Sequence, residues 1–83
     1  MLIVDAHLDL SYNALNGRDV LAPARQQQPD HQGIPSVGLP DLREGGVGLI
    51  CATIFCQPLG DKWPGYSTPA EAADMAWAQM RWY

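Results

Sequence analysis

Asp5, His7 and Asp9 are the residues of this chain with the clearest capacity for chemistry. They occupy alternate positions in Asp5-Ala6-His7-Leu8-Asp9, directly after the apolar run Leu2-Ile3-Val4. On an extended strand, alternate side chains share a face, so the spacing predicts three ionisable groups on one side of a strand end. Such groups are costly at the end of a buried strand unless they are paired or metal-bound. His7 and Asp9 form a His-x-Asp pair. An imidazole nitrogen and a carboxylate oxygen two positions apart can reach one cation from the same side, and zinc takes N and O donors of this kind at about 2.0–2.2 Å. The plainer alternative is an ordinary His and Asp on a solvated loop, because His-x-Asp alone is a common pattern.

The elements that must position these groups follow from the pattern of apolar and breaking residues. The start of the chain reads as a short buried strand near residues 2–7. Ser11 to Asn16 reads as a short helix, with Ser11 as its cap and Gly17 just past its end. Residues 22–38 are rich in Pro, Gln and Gly and read as loop; a loop of that length in a compact domain is usually functional or disordered. Pro40 to Glu44 reads as one helical turn, with Pro40 at the start and Gly45 at the stop. The run from Gly46 to Pro58 has a β-branched, apolar centre, which predicts a second strand near 47–56, buried on both faces. Thr68, Pro69 and Glu71 form a capping box with proline at the first helical position. The helix they open runs to the end of the chain, with Ala73, Ala76, Met80 and Tyr83 on one face. Trp77 and Trp82 need partners that this chain scarcely offers. Strand, long connection, strand, helix is the order of an α/β protein.

Other reactive residue types carry less. Cys51 and Cys56 lie an odd number of positions apart, so a strand would point them to opposite faces; two free thiols is the expected state. His31 has polar, unpatterned neighbours and reads as a solvated loop residue. Arg43 sits where a cation complements a helix C-terminus. Gly45, Gly46 and Gly48 precede a strand rather than a helix, and no Lys-Ser/Thr follows, so a phosphate loop is disfavoured. Trp63 and Tyr66 read as core or interface side chains. No serine, cysteine or threonine has a visible activating base.

Two motifs taken together carry a resemblance. Val4-Asp5-Ala6-His7-Leu8-Asp9-Leu10, followed by Leu39-Pro40-Asp41-Leu42-Arg43-Glu44-Gly45-Gly46-Val47-Gly48, resembles the opening of the membrane dipeptidase (renal dipeptidase) family of dinuclear zinc peptidases. The likeness covers residues 2–9 and 37–56 and is loose over 18–36 and the final helix. It implies an α/β fold of which residues 1–83 are the incomplete N-terminal part: a fragment of a single (β/α)8 TIM-barrel peptidase domain of the metal-dependent hydrolase type. It implies that His7 and Asp9 are ligands of one of two zinc ions and that Asp5 supports them without being a ligand. The bridging glutamate and the two histidines of the second zinc come from later strands in that family. The implied activity is hydrolysis of the peptide bond of dipeptides through a hydroxide bridging the two metals. Leu8 departs from the asparagine common between the His and the Asp, which bears on substrate preference and leaves the ligands intact.

Composition sets the outer limits. The chain has 83 residues, whereas a closed (β/α)8 barrel needs about 250. Nine acidic against five basic residues give a formal charge of −4, which disfavours nucleic acid and anionic membranes as partners. The longest apolar run, residues 49–56, is far short of the roughly 20 residues of a membrane span. The chain start lacks the basic region of a signal peptide, so a cytoplasmic location is the expectation. The dipeptide substrate is the expected small-molecule partner, and the aromatic helix makes a homodimer a further one. Two alternatives remain open. One is another amidohydrolase-type metal hydrolase acting on a non-peptide amide, although such enzymes more often show His-x-His on the first strand. The other is a non-catalytic, truncated chain that self-associates through its aromatic helix. With only two ligands, the isolated 83-residue chain is expected to be inactive.

Overall fold

The computed structural model describes residues 1–83. The elements run in the order β1 (Ile3–Leu8), α1 (Leu10–Leu15), a 3₁₀ turn (Ala24–Gln26), α2 (Leu39–Glu44), β2 (Val47–Ala52) and α3 (Pro69–Trp82). β1 and β2 pair in parallel, with Ile3 opposite Val47, Asp5 opposite Ile50 and Leu8 opposite Ala52. The register is irregular between Ile3 and Val4 and between Asp5 and Leu8.

This architecture corrects the expected fold class. The chain is a small α+β fold with a two-stranded parallel sheet and three helices, not the opening arc of a (β/α)8 barrel. A barrel unit needs a crossover helix long enough to cover its pair of strands. Here the crossover holds only two six-residue helices and a single 3₁₀ turn. The long helix α3 packs against α1 and the segment after β2. The sheet therefore stays open: Ile3, Val4 and Leu49 are 40%, 50% and 54% exposed, against the expectation of a strand buried on both faces.

Local chemistry explains the boundaries. α3 begins where the sequence places it: Thr68 Oγ1 accepts from the Glu71 amide at 3.2 Å, and Glu71 Oε2 accepts from the Thr68 amide at 3.3 Å. In α2, Asp41 Oδ2 accepts from the Gly38 amide and from the Ala24 amide, both at 2.7 Å. One carboxylate thus caps the helix and pins the 3₁₀ turn to it. β2 ends at Ala52 rather than near 56. β1 has run out by then, and the next amide, Thr53 N–H, bonds Leu8 O at 3.0 Å as the last backbone-to-backbone tie between the two segments.

The connection between the strands is ordered by polar contacts. Arg18 donates to both carboxylate oxygens of Asp30, at 3.0 and 2.9 Å, and to Gly33 O at 3.1 Å. The Leu39 amide donates to Val20 O at 2.8 Å and closes the loop at its base. Gln27, buried inside it, donates to Ala22 O at 2.9 Å and Val37 O at 3.2 Å. Gly38 lies so close to the Ala22 carbonyl that a side chain there has no room. His31 is exposed on this loop, as expected.

The buried interior is small and partly polar. Leu10, Tyr12 and Val20 are its buried large apolar side chains, and Ser11 and Gln79 are buried among the polar ones, at 0% and 2% exposure. The buried stripe of α3 passes through Gln79, with Met75 half-buried one turn earlier. The expected stripe of Ala73, Ala76, Met80 and Tyr83 is displaced, since Met80 is 51% exposed. No helix is long and apolar enough to cross a membrane.

Candidate metal centre

His7 and Asp9 meet at the C-terminal end of β1. His7 Nε2 lies 3.2 Å from Asp9 Oδ1. His7 is still on the strand, with an exposed side chain. Asp9 is not on the strand: it holds the N-cap position of α1, with φ −86° and ψ 57°. The shared strand face predicted for Asp5, His7 and Asp9 therefore breaks at its last member. Asp9 reaches His7 because the chain turns there, not because it continues extended.

Asp5 is not brought to the pair. Its Oδ1 accepts a hydrogen bond from the His7 backbone amide at 2.9 Å. That bond braces the backbone from which His7 projects and leaves the Asp5 carboxylate turned onto the main chain. No third His, Cys, Asp or Glu joins the pair into a cluster.

The donor set fits a divalent ion as part of a site. Two ligand atoms bound at about 2.0–2.2 Å lie roughly 2.8–3.6 Å apart across octahedral and tetrahedral geometries. The 3.2 Å between His7 Nε2 and Asp9 Oδ1 falls inside that interval. Zinc sites use three or four protein ligands, so two donors alone fall short of one, and no group of three or more His, Cys, Asp or Glu forms in the chain.

Several residues that organise this end of the sheet escape the sequence reading. Thr53, directly after β2, places its hydroxyl against Asp9 Oδ1 and 3.3 Å from Leu8 O. Its carbonyl accepts from Ser11 Oγ at 3.3 Å and from the Tyr83 hydroxyl at 2.9 Å. Ser11 is not the cap of α1. It is buried in the first turn, where its hydroxyl also meets Gln79 Oε1 at 3.1 Å and its amide donates to the Tyr83 hydroxyl at 3.3 Å. Gln79 then treats Phe55 as a strand would, accepting from its amide at 2.9 Å and donating to its carbonyl at 2.6 Å. The available signal was Thr53 itself, the single hydroxyl residue inside Leu49-Ile50-Cys51-Ala52-Thr53-Ile54-Phe55-Cys56.

Beside this end lies an open groove lined by Tyr12, Phe55, Gln57 and Trp63, with His31 and Gln32. The Tyr12 and Phe55 rings meet edge to face at 5.0 Å. Gln57 Nε2 donates to the Tyr12 hydroxyl at 2.7 Å. Burial pushes the Tyr12 phenol above its ordinary value. Cys51 and Cys56 are both free thiols.

No family model, curated protein or solved structure matches the chain. The likeness to zinc dipeptidases accordingly rests on the two sequence motifs.

Proposed function

We propose that this chain contributes the His7–Asp9 half of a zinc site in a metal-dependent hydrolase acting on dipeptides. The observation that carries the proposal is the 3.2 Å approach of His7 Nε2 to Asp9 Oδ1 at the end of β1. A nitrogen donor and an oxygen donor sit at the spacing of two ligands on one ion, at a place where the residues around them fix one of the two. The dipeptide substrate class comes from the resemblance of residues 2–9 and 37–56. When bound, zinc supplies Lewis acidity toward a carbonyl and lowers the pKa of water. The protein's part is to hold the donors: Asp5 braces the His7 backbone, and His7 and Asp9 present N and O together. The remaining ligands would come from outside these residues.

The test is zinc binding by the chain, followed through the NMR signals of His7 and Asp9. Binding that moves both residues and is lost in His7→Ala and Asp9→Ala supports the proposal. No binding, or binding indifferent to both substitutions, overturns it. The substrate class is tested separately on the intact gene product: metal-dependent release of free amino acids from dipeptides, abolished by His7→Ala, is the expected result. Hydrolysis of a non-peptide amide with no action on dipeptides would assign the other class.

A further inference from the structure

We infer that Thr53 positions Asp9, and through Asp9 sets how tightly the pair holds a divalent cation. The cation part rests on the metal reading above; the positioning rests on the contact itself. A threonine hydroxyl has one proton to donate. Two acceptors lie within its reach, Leu8 O at 3.3 Å and the carboxylate oxygen Asp9 Oδ1. Leu8 O is already served by the Thr53 amide at 3.0 Å. The hydroxyl proton therefore goes to the carboxylate, where the bond is charge-assisted and stronger than one to a neutral carbonyl.

Asp9 needs such a tether. It stands just past β1, and its side chain makes no capping bond to α1. Its carboxylate is held by two groups, His7 Nε2 at 3.2 Å and the Thr53 hydroxyl, and only Thr53 comes from a separate segment, just after β2. Thr53 is itself held before it reaches Asp9. Its amide is fixed on Leu8, and its carbonyl is gripped by Ser11 and Tyr83. The hydroxyl therefore projects from a backbone anchored on two sides. Loss of a hydrogen-bonding partner behind a metal ligand costs 10–100-fold in metal affinity as a rule. Thr53 acts through Asp9 and is a positioning residue.

The experiment is a zinc chloride titration of the whole chain, read on the NMR signals of His7 and Asp9. Thr53→Val keeps the shape and removes the hydroxyl, and it is expected to weaken binding by about ten-fold; Thr53→Ser keeps the hydroxyl and is expected to restore it. Zinc binding by Thr53→Val equal to that of the unmodified chain overturns the inference. So does a Thr53→Ser variant as weak as Thr53→Val, which would assign the effect to packing. A second measurement covers a variant that fails to fold and a chain that binds no zinc. In the unmodified chain the Thr53 hydroxyl proton is expected to exchange slowly and to show a cross-peak to the Asp9 side chain. A fast-exchanging hydroxyl without that cross-peak overturns the positioning. If that proton is slow and zinc binding is absent or unaffected by His7→Ala, the metal reading fails while the positioning stands.

Discussion

Replacing Gln79 with leucine tests whether one buried amide holds α3 to the rest of the chain. Gln79 is 2% exposed, and its side chain serves four groups: the Phe55 amide, the Phe55 carbonyl, the Ser11 hydroxyl and, weakly, the Cys56 thiol. Leucine fills similar space and serves none of them. Ser11 keeps an acceptor in Thr53 O, so it loses least. The two Phe55 groups lose their partner outright. A stranded buried polar group costs roughly 1–3 kcal/mol, and both Phe55 groups are part-buried, so water recovers some of that; the sum is about 2–3 kcal/mol. A chain of this length has roughly 4–12 kcal/mol of stability by per-residue averages, and eight buried residues put it near the lower figure. The substitution therefore removes a large share of the total. The assay is urea unfolding followed by the fluorescence of the three tryptophans. At about 1 kcal/mol per molar urea, the midpoint should fall by roughly 2–3 M. Amide exchange at Phe55 should accelerate more than exchange at Thr53, whose amide bonds Leu8 O. An unchanged midpoint, or a Phe55 amide still protected in the leucine variant, would refute the reasoning.

Three further outcomes are expected. Arg18 donates to both oxygens of Asp30 and holds its carboxyl at about 2, below the ordinary 3.8. A carboxylate with a depressed folded pKa stabilises the fold above its unfolded value and loses that contribution as pH falls, so the Asp30 loop should loosen between about pH 4 and pH 2. Arg18 side-chain NMR signals report it, and an identical acid profile in Asp30→Asn would contradict it. Gly38→Ala should destabilise by about 1–3 kcal/mol, because the new methyl group meets the Ala22 carbonyl; an unchanged urea midpoint would show that this loop yields freely. The open apolar residues Ile3, Val4, Leu49 and Trp77 should make the mass seen by light scattering rise with concentration, and a constant monomer mass would count against self-association.

The parts of the fold that are legible in the sequence are those set by local chemistry. Thr68, Pro69 and Glu71 announce α3 because a capping box satisfies amides within one turn. β1 and β2 are visible because β-branched and apolar runs are bounded by polar residues or glycine. What could not be read depends on residues far apart in the chain. The true end of β2 depends on where β1 stops, and the role of Ser11 depends on Gln79. A glutamine among Ala78, Met80 and Arg81 looks like surface until its amide is seen completing the backbone bonds of Phe55. At the candidate site, the sequence singles out His7 and Asp9, but their approach does not come from the alternation of a strand. A turn rather than a strand delivers Asp9, and Thr53, from the other strand's end, sets its carboxylate.

The bonds within the crossover also bear on the order in which the chain folds. Parallel pairing joins Ile3 to Val47, a contact of long sequence separation that a folding chain reaches slowly. The Leu39-to-Val20 bond and the Arg18–Asp30 pair join positions much nearer in sequence. Closing them first shortens the free chain that must be searched before the strands can meet, since closure entropy grows with loop length. The bonds of the polar loop are therefore the ones of low closure cost, and the strand pairing, with the His7–Asp9 pair at its end, is the one of high closure cost.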